Sequence, residues 1–356
     1  MWHETTSHYF ESGTLPTVIA ERCVHTKMTQ ASCQACVDAC PLDAWVMDDD
    51  SMGIDTSLCD GCGLCASACP QGVIVSQRVM LVAEQKGRST ALFACELAGI
   101  EEKQAIIPCL HALGLQELLQ MYRSGTRHLS VASGDCASCI RSKALRLRDL
   151  VEQLNDMLAS RNLATITLQV IPSGQWKQAS EKTKRRPGGP VLSRRSFFRR
   201  AAESSITIGM DIAGLEEEKT FIPPGKQLPR TRLDDIVPCV PRIDPAKCNG
   251  CDACVRLCPQ DAISLCISDD HPQYRLDAES CTGCAVCSDV CNQQAVSVSY
   301  WKPQIQFALH LRGQRCQACG ASFHSPVVQE SGGSLCFVCA KTNHARNLYQ
   351  VLEQSR

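Results

Sequence analysis

Three twelve-residue stretches of this 356-residue chain carry one cysteine spacing: CDGCGLCASACP at 59–70, CNGCDACVRLCP at 248–259 and CTGCAVCSDVCN at 281–292. Each follows an Asp-containing lead (GIDTSLC, RIDPAKC, YRLDAESC) and precedes a short β-prone run (GVIVS, AISLCIS, AVSVSY). A fourth, imperfect copy ends in Cys33, Cys36, Cys40 and Pro41, with Gln30 where the opening cysteine should stand. Four half-motifs in two pairs therefore organise the chain.

The 26 cysteines fall in tight groups separated by cysteine-free stretches. That is the distribution of metal ligands, whereas a secreted disulfide scaffold is short and follows a signal peptide. The opening MWHETTSHYFESGTLPTVIA has no basic n-region and no apolar h-region. No apolar run approaches the roughly 20 residues that cross a bilayer. These features predict a reducing, cytoplasmic setting without a transmembrane segment, any membrane association being peripheral and through a partner. A net charge of −1 gives no global attraction to nucleic acid, and no nucleic-acid partner is expected.

A [4Fe-4S] cube needs four thiolates. Three come from one tight loop with two-residue spacers and, in two-cluster ferredoxins, the fourth comes from the other motif. Crossed in this way, the second pair predicts the sets Cys248, Cys251, Cys254 with Cys291, and Cys281, Cys284, Cys287 with Cys258. Structural zinc would use four thiolates and leave the other four without a role. Asn292, in place of Pro70 and Pro259, is expected to change the local turn without removing a ligand.

In the first pair, Cys59, Cys62, Cys65 and Cys40 form one set. Cys33, Cys36 and Cys69 need a fourth ligand, and Cys23 is the nearest candidate, with Val24 to Ser32 looping out. Loop closure cost grows slowly with length, so the insertion is tolerable. A three-iron cluster or ligation by His25 are the alternatives. Cys239 and Cys266 fall outside these sets.

Between the pairs, the strand candidates TALFAC, QAIIPC, HLSVAS and TITLQVI alternate with helical stretches, which predicts βαβ units around a parallel sheet. A helix is expected to follow Cys139, with Ile140, Ala144, Leu147, Val151, Leu154 and Leu158 on one face. Cys95, Cys109, Cys136 and Cys139 each stand at the end of a strand candidate, where open α/β sheets gather ligands. They can hold a [2Fe-2S] cluster, with that helix's N-terminus stabilising thiolate charge. Four ordinary buried thiols are the other reading.

At the C-terminus, Cys316, Cys319, Cys336 and Cys339 have zinc-ribbon spacing, and Gly320 suits the first knuckle's turn. Ala340, where a second knuckle glycine would stand, keeps a rubredoxin-like iron site as the rival. His324 and His344 are expected at the surface. The segment Cys316 to Cys339 has no Lys or Arg, which argues against phosphate binding.

From Lys177 to Arg200, nine Lys or Arg face one acid, Glu181, in a Pro- and Gly-rich linker with one short helix expected around Phe197 to Ser205. Within it, SRRSFFRR at 193–200 imitates a twin-arginine export signal but lies mid-chain and lacks the apolar segment that follows one. With SRRSFF ahead of two cysteine quartets, residues 193–300 resemble NapF-type ferredoxins associated with periplasmic nitrate reductase. Residues 90–171, with FAC at 95, PC at 109 and GDCASC at 134–139, resemble the delta subunit of methyl-viologen-reducing hydrogenase and its relatives around heterodisulfide reductase. The resemblance implies a two-iron cluster in the middle domain and electron transfer between subunits.

The predicted fold is α+β: an N-terminal segment (1–20), a dicluster ferredoxin-like module (21–80), and a small α/β domain with a parallel sheet (88–173). A basic linker (174–236), a second dicluster module (237–300), and a zinc ribbon with helical tail (301–356) follow. Four [4Fe-4S] clusters, a [2Fe-2S] centre and Zn2+ are the expected cofactors. The expected function is single-electron relay to a larger oxidoreductase such as a hydrogenase, formate dehydrogenase, nitrate reductase or heterodisulfide-reductase-like complex. The sequence offers no G-x-G-x-x-G fingerprint and no catalytic His/Asp/Ser constellation. An assembly or maturation factor that delivers clusters or checks cofactor insertion in a partner is the alternative.

Overall fold

The computed structural model describes residues 15–47, 52–75, 81–85, 88–100, 105–141, 147–181, 221–230, 232–268, 271–328 and 334–342. The SRRSFFRR motif, the helix expected at 197–205, Ala144, His344 and the helical tail lie outside them.

The two cysteine-rich pairs fold alike. In the first, β1 (Thr17–Val18) pairs antiparallel with β4 (Ile74–Val75), and β2 (Trp45–Met47) with β3 (Met52–Ile54). The short helices α1 (Ala35–Asp38) and α2 (Leu64–Ala68) follow the cysteine loops. The outer β1–β4 pair brings the two ends of the segment together, so the half-motifs must face each other. Their interior is thin: Trp45, Val73 and Ile74 are its main apolar side chains, and cysteines supply much of the rest.

Three parallel pairings build the middle domain. β6 (Arg88–Cys95) pairs with β7 (Ile106–Ile107) and β8 (His128–Ala132), and β8 with β9 (Thr167–Val170). All four strand candidates are present. β5 (Leu81–Gln85), which the sequence reading lacks, adds an antiparallel edge to β6. The helices α3 (Leu115–Arg123), α4 (Leu147–Ser160) and α5 (Ser173–Glu181) cover the sheet. Leu147, Leu150, Val151, Leu154, Met157 and Leu158 are buried at the three- and four-residue spacing of an amphipathic helix. This is the chain's largest apolar core.

Helix α5 occupies the start of the stretch read as linker, and its Trp176 is fully buried in the middle core. Residues 221–230 and 232–236 also pack: Leu228 is buried, and Arg161 donates to the Ile236 carbonyl. Charge with Pro and Gly content marked this region as linker, but one tryptophan and a few long-range hydrogen bonds fix both its ends.

In the second pair, β10 (Ile236–Ile243) pairs with β13 (Val296–Pro303), and β11 (Ile263–Ser268) with β12 (His271–Leu276), repeating the first arrangement. Pro238 and Pro241 are tolerated in β10 because a two-stranded ribbon consists of edges. The helices here are α6 (Ala253–Leu257) and α7 (Val286–Asp289). β12 continues to β14 (Ala308–Arg315), and β14 to β15 (Ser322–Pro326), so the terminal unit extends this sheet; α8 (Phe337–Thr342) closes it. No helix among the described residues is long and apolar enough to cross a membrane.

Candidate metal centres

Each cysteine loop turns its sulfurs inward through left-handed backbone positions that recur at the same places. Between the first and second cysteines stand Gly61, Gly250 and Gly283, at φ 67°, 72° and 78°. After the second stand Gly63, Asp252 and Ala285, at 74°, 64° and 63°. Three residues beyond the last cysteine come Asp43, Gly72, Asp261 and Gln294, at 51°, 59°, 51° and 50°. This last turn lets a backbone N–H return to sulfur. Ala44, Val73, Ala262 and Ala295 donate to Cys40, Cys69, Cys258 and Cys291 at 3.3, 3.4, 3.2 and 3.2 Å. The imperfect copy keeps this closing turn but departs at its opening, where Gln34 has φ −123°.

Cys23, Cys33, Cys36 and Cys69 line one small pocket. His25 lies on its wall, with Nε2 2.9 Å from the Cys33 carbonyl. Cys40, Cys59, Cys62 and Cys65 line a second, and Cys258, Cys281, Cys284 and Cys287 a third. Cys248, Cys251, Cys254 and Cys291 also converge, closely enough that charge on the other three raises the Cys254 thiol. In all four places the sulfurs of one loop are joined by one from the opposite half-motif.

Burial is the main cause of the raised thiols in the cysteine loops, Cys281 excepted. With neighbouring sulfurs adding to it, it pushes Cys36, Cys254 and Cys287 up to about 12 and Cys65 to about 11. Burial also brings Cys62 to about 12, with Asp60 contributing. A thiolate is costly at such positions unless positive charge accompanies it. Four sulfurs with converging N–H donors match the chemistry of an iron–sulfur cube.

Cys95, Cys109, Cys136 and Cys139 line a further small pocket, and Gly134 N–H donates to Cys95 Sγ at 3.2 Å. The expected helix does not begin at Cys139. Ile140 lies in a turn and is 65% exposed, and the described part of the helix runs from Leu147. The positive group beside the cavity is instead Arg141, which donates to Asp60 Oδ2 at 2.6 Å, Glu96 Oε2 at 2.9 Å and the Pro108 carbonyl at 2.7 Å. Nothing in the spacing marked Arg141 out, since its partners lie 33 to 81 residues away.

Cys316, Cys319, Cys336 and Cys339 bring their sulfurs within 4.8 Å of one another. N–H groups, chiefly that of Cys336, hold the Cys316 thiol down at about 6. Gly320 takes the left-handed turn at φ 74°. Ala340 is helical, its N–H bonded to the Cys336 carbonyl, so the second knuckle runs into α8 and needs no glycine. His324 is not at the surface: its side chain is 15% exposed, and Nε2 lies 2.8 Å from Asp252 Oδ1 and 3.2 Å from the Tyr274 hydroxyl. The Tyr274 hydroxyl donates to the same carboxylate at 2.7 Å.

Two further sulfurs fall outside these groups. Cys239 is buried against Cys281 in one apolar cluster, and Cys266 is half-buried in β11. At Asn292 the substitution for proline is used: its N–H bonds the Val290 carbonyl at 3.1 Å.

Two families described as 4Fe-4S binding domains match the chain, one at residues 52–75 and 241–264, the other at 20–48. UacF of Escherichia coli (strain K12), named as an oxidoreductase, is 31% identical over 97 residues, 27% of this chain and 13% of that protein. The isethionate sulfite-lyase activating enzyme of Oleidesulfovibrio alaskensis is 39% identical over 51 residues, 14% of this chain and 16% of that enzyme. The chain thus spans less than a fifth of either of these relatives. Ferredoxin 7Fe of Hydrogenibacillus schlegelii is 37% identical over 57 residues, 16% of this chain and 67% of that ferredoxin. Repeated cysteine loops, inward sulfurs and these matches together place the chain among the ferredoxin-type 4Fe-4S proteins.

Proposed function

We propose that the protein relays single electrons between a donor and a larger oxidoreductase, holding four [4Fe-4S] clusters, a [2Fe-2S] centre in the middle domain and zinc in the terminal ribbon. The observation that carries this reading is the gathering of cysteines into separate four-sulfur groups, each walled by protein and served by backbone N–H donors. The ligand sets are Cys23, Cys33, Cys36, Cys69; Cys40, Cys59, Cys62, Cys65; Cys248, Cys251, Cys254, Cys291; and Cys258, Cys281, Cys284, Cys287. Cys95, Cys109, Cys136 and Cys139 hold the two-iron centre, and Cys316, Cys319, Cys336 and Cys339 the zinc.

Bound iron–sulfur clusters supply one-electron redox chemistry over a range of about −700 to +450 mV. The chain's own residues set a position within that range through N–H donors on sulfur, burial and local charge. Cys23 and His25 both line the cavity shared with Cys33, Cys36 and Cys69, and Cys23 is preferred because His25 Nε2 is engaged by the Cys33 carbonyl. A three-iron occupant of that cavity is the second reading, favoured by the resemblance to a ferredoxin named 7Fe.

The partner is a redox protein, in keeping with relatives that include an oxidoreductase and an activating enzyme. Iron, sulfide and zinc analysis of anaerobically purified protein tests the assignment. About 18 irons and one zinc per chain are expected; about 16 irons would remove the middle centre, and 17 the fourth iron at Cys23. Transfer of iron to an apo-protein on mixing, without electron transfer, would instead favour an assembly factor.

A further inference from the structure

The sulfur groups are not scattered. Cys109 of the middle domain and Cys62 of the first module belong to one buried apolar cluster with Ala39, Leu64 and Ala112. Arg141 bridges the same boundary. Within the first module, Cys65 and Cys36 share a cluster with Trp45, joining its two groups.

Cys33, on the far side of that module, packs with Cys284 of the second among Val24, Ala31 and Val286. Polar contacts hold this second boundary in register. Ser32 donates its N–H and hydroxyl to Asp289, both at 2.8 Å. Gln71 donates to Thr282 at 2.6 Å and accepts from Gln260 at 2.8 Å. Finally, Cys287 and Cys254 share the apolar cluster of the second module.

Among the five groups assigned to iron, each thus packs, through shared apolar clusters, with a group before it and one after it, except two. The group at Cys95 has a successor only, and the group at Cys248 a predecessor only. Cys136 and Cys251, one in each of these terminal groups, are the two exposed cysteines of the 26.

We infer that the five redox groups stand in single file, with the Cys136 loop and the Cys251 loop as the two ports at which redox partners exchange electrons. The inference rests on the cluster assignment above. One electron taken up at a port leaves at the other for each transit, with no bond made or broken. The Cys62–Cys109 and Cys33–Cys284 contacts are the two crossings between domains.

The order is tested in the iron-loaded full chain by injecting electrons at one end. Leu97, 58% exposed on the rim of the Cys95 cavity, is replaced by cysteine (Leu97→Cys) and labelled with a ruthenium photoreductant used with a sacrificial donor. Freeze-quench EPR after a flash should show electrons reaching the cubes of both modules. Adding Cys33→Ala and Cys36→Ala should abolish the flash-induced signal of the second module while the group at Cys59 is still reduced.

Bulk dithionite should still reduce the second module in that variant, showing its cubes intact. Undiminished flash reduction of the second module would overturn the single file. Should the double variant fail to load iron, Gln71→Ala with Asp289→Lys must slow the second-module signal at full iron content, and an unchanged rate there would equally overturn it. Lack of iron in the unsubstituted chain would instead overturn the assignment beneath it.

Discussion

Arg141 of the middle domain donates to Asp60 at 2.6 Å, and Asp60 in turn accepts the N–H of Cys62 at 3.0 Å. One guanidinium therefore reaches from the rim of one sulfur group into the cysteine loop of the next. Burial works against its charge, but Glu96 and Asp60 outweigh that and raise Arg141 above its ordinary range. Arg141→Ala leaves two carboxylates facing a half-buried boundary, a loss of about 3 kcal/mol by urea unfolding of the iron-loaded protein. Arg141→Lys should recover only part of it, because the fork that serves Asp60, Glu96 and Pro108 together is lost.

Cys239 sits against Cys281, and the hydrogen bond between them is the largest cause that raises the Cys281 thiol, ahead of burial. A ligating sulfur has no proton to give, so with iron bound Cys239 is the donor. Cys239→Ala should leave iron content unchanged and lower the potential of the neighbouring cube. A bond worth about 1 kcal/mol sets an upper limit of about 40 mV on the shift, reached if the bond acts in the reduced state alone, in an EPR-monitored titration.

Gly250 combines φ 72° with close approach to the His324 backbone, so any Cβ there meets the terminal hairpin. Gly250→Ala adds about 1–2 kcal/mol of left-handed backbone cost before any clash. Hydrogen exchange should speed up across 308–326 in that variant. Gly313→Ala, whose Cβ meets nothing within 4 Å, should leave exchange unchanged.

On the proposed zinc assignment, metal removal separates the local chemistry of the four terminal cysteines from the anchorage of their unit. A zinc chelator should expose the backbone at 316–320 and 334–342, while β14 stays protected through its pairing with β12. Hydrogen exchange with parallel zinc and iron analysis reads both, and iron should be retained.

Spacing made the ferredoxin-type cysteine loops legible because each brings its sulfurs together from one short stretch, and the parallel strands because their apolar runs are local; the middle-domain sulfurs come from three separate loops. The rest depends on long-range packing. The helix expected to follow Cys139 does not include Ile140, which is apolar by type yet lies exposed in a turn. Trp176 reads as part of a charged linker until the core that buries it is seen. His324 looks like a surface residue until Asp252, 72 positions earlier, reaches its ring. No pattern announces Arg141, Ser32 or Asp289, whose roles exist only where separate domains meet.

The most direct measurement is low-temperature EPR spin integration of oxygen-free protein reduced with dithionite. Signals integrating to about four cube spins per chain, with a further two-iron signal persisting at higher temperature, are expected. Colourless protein, magnetically silent after reduction, would contradict the reading of these sulfur groups as electron carriers.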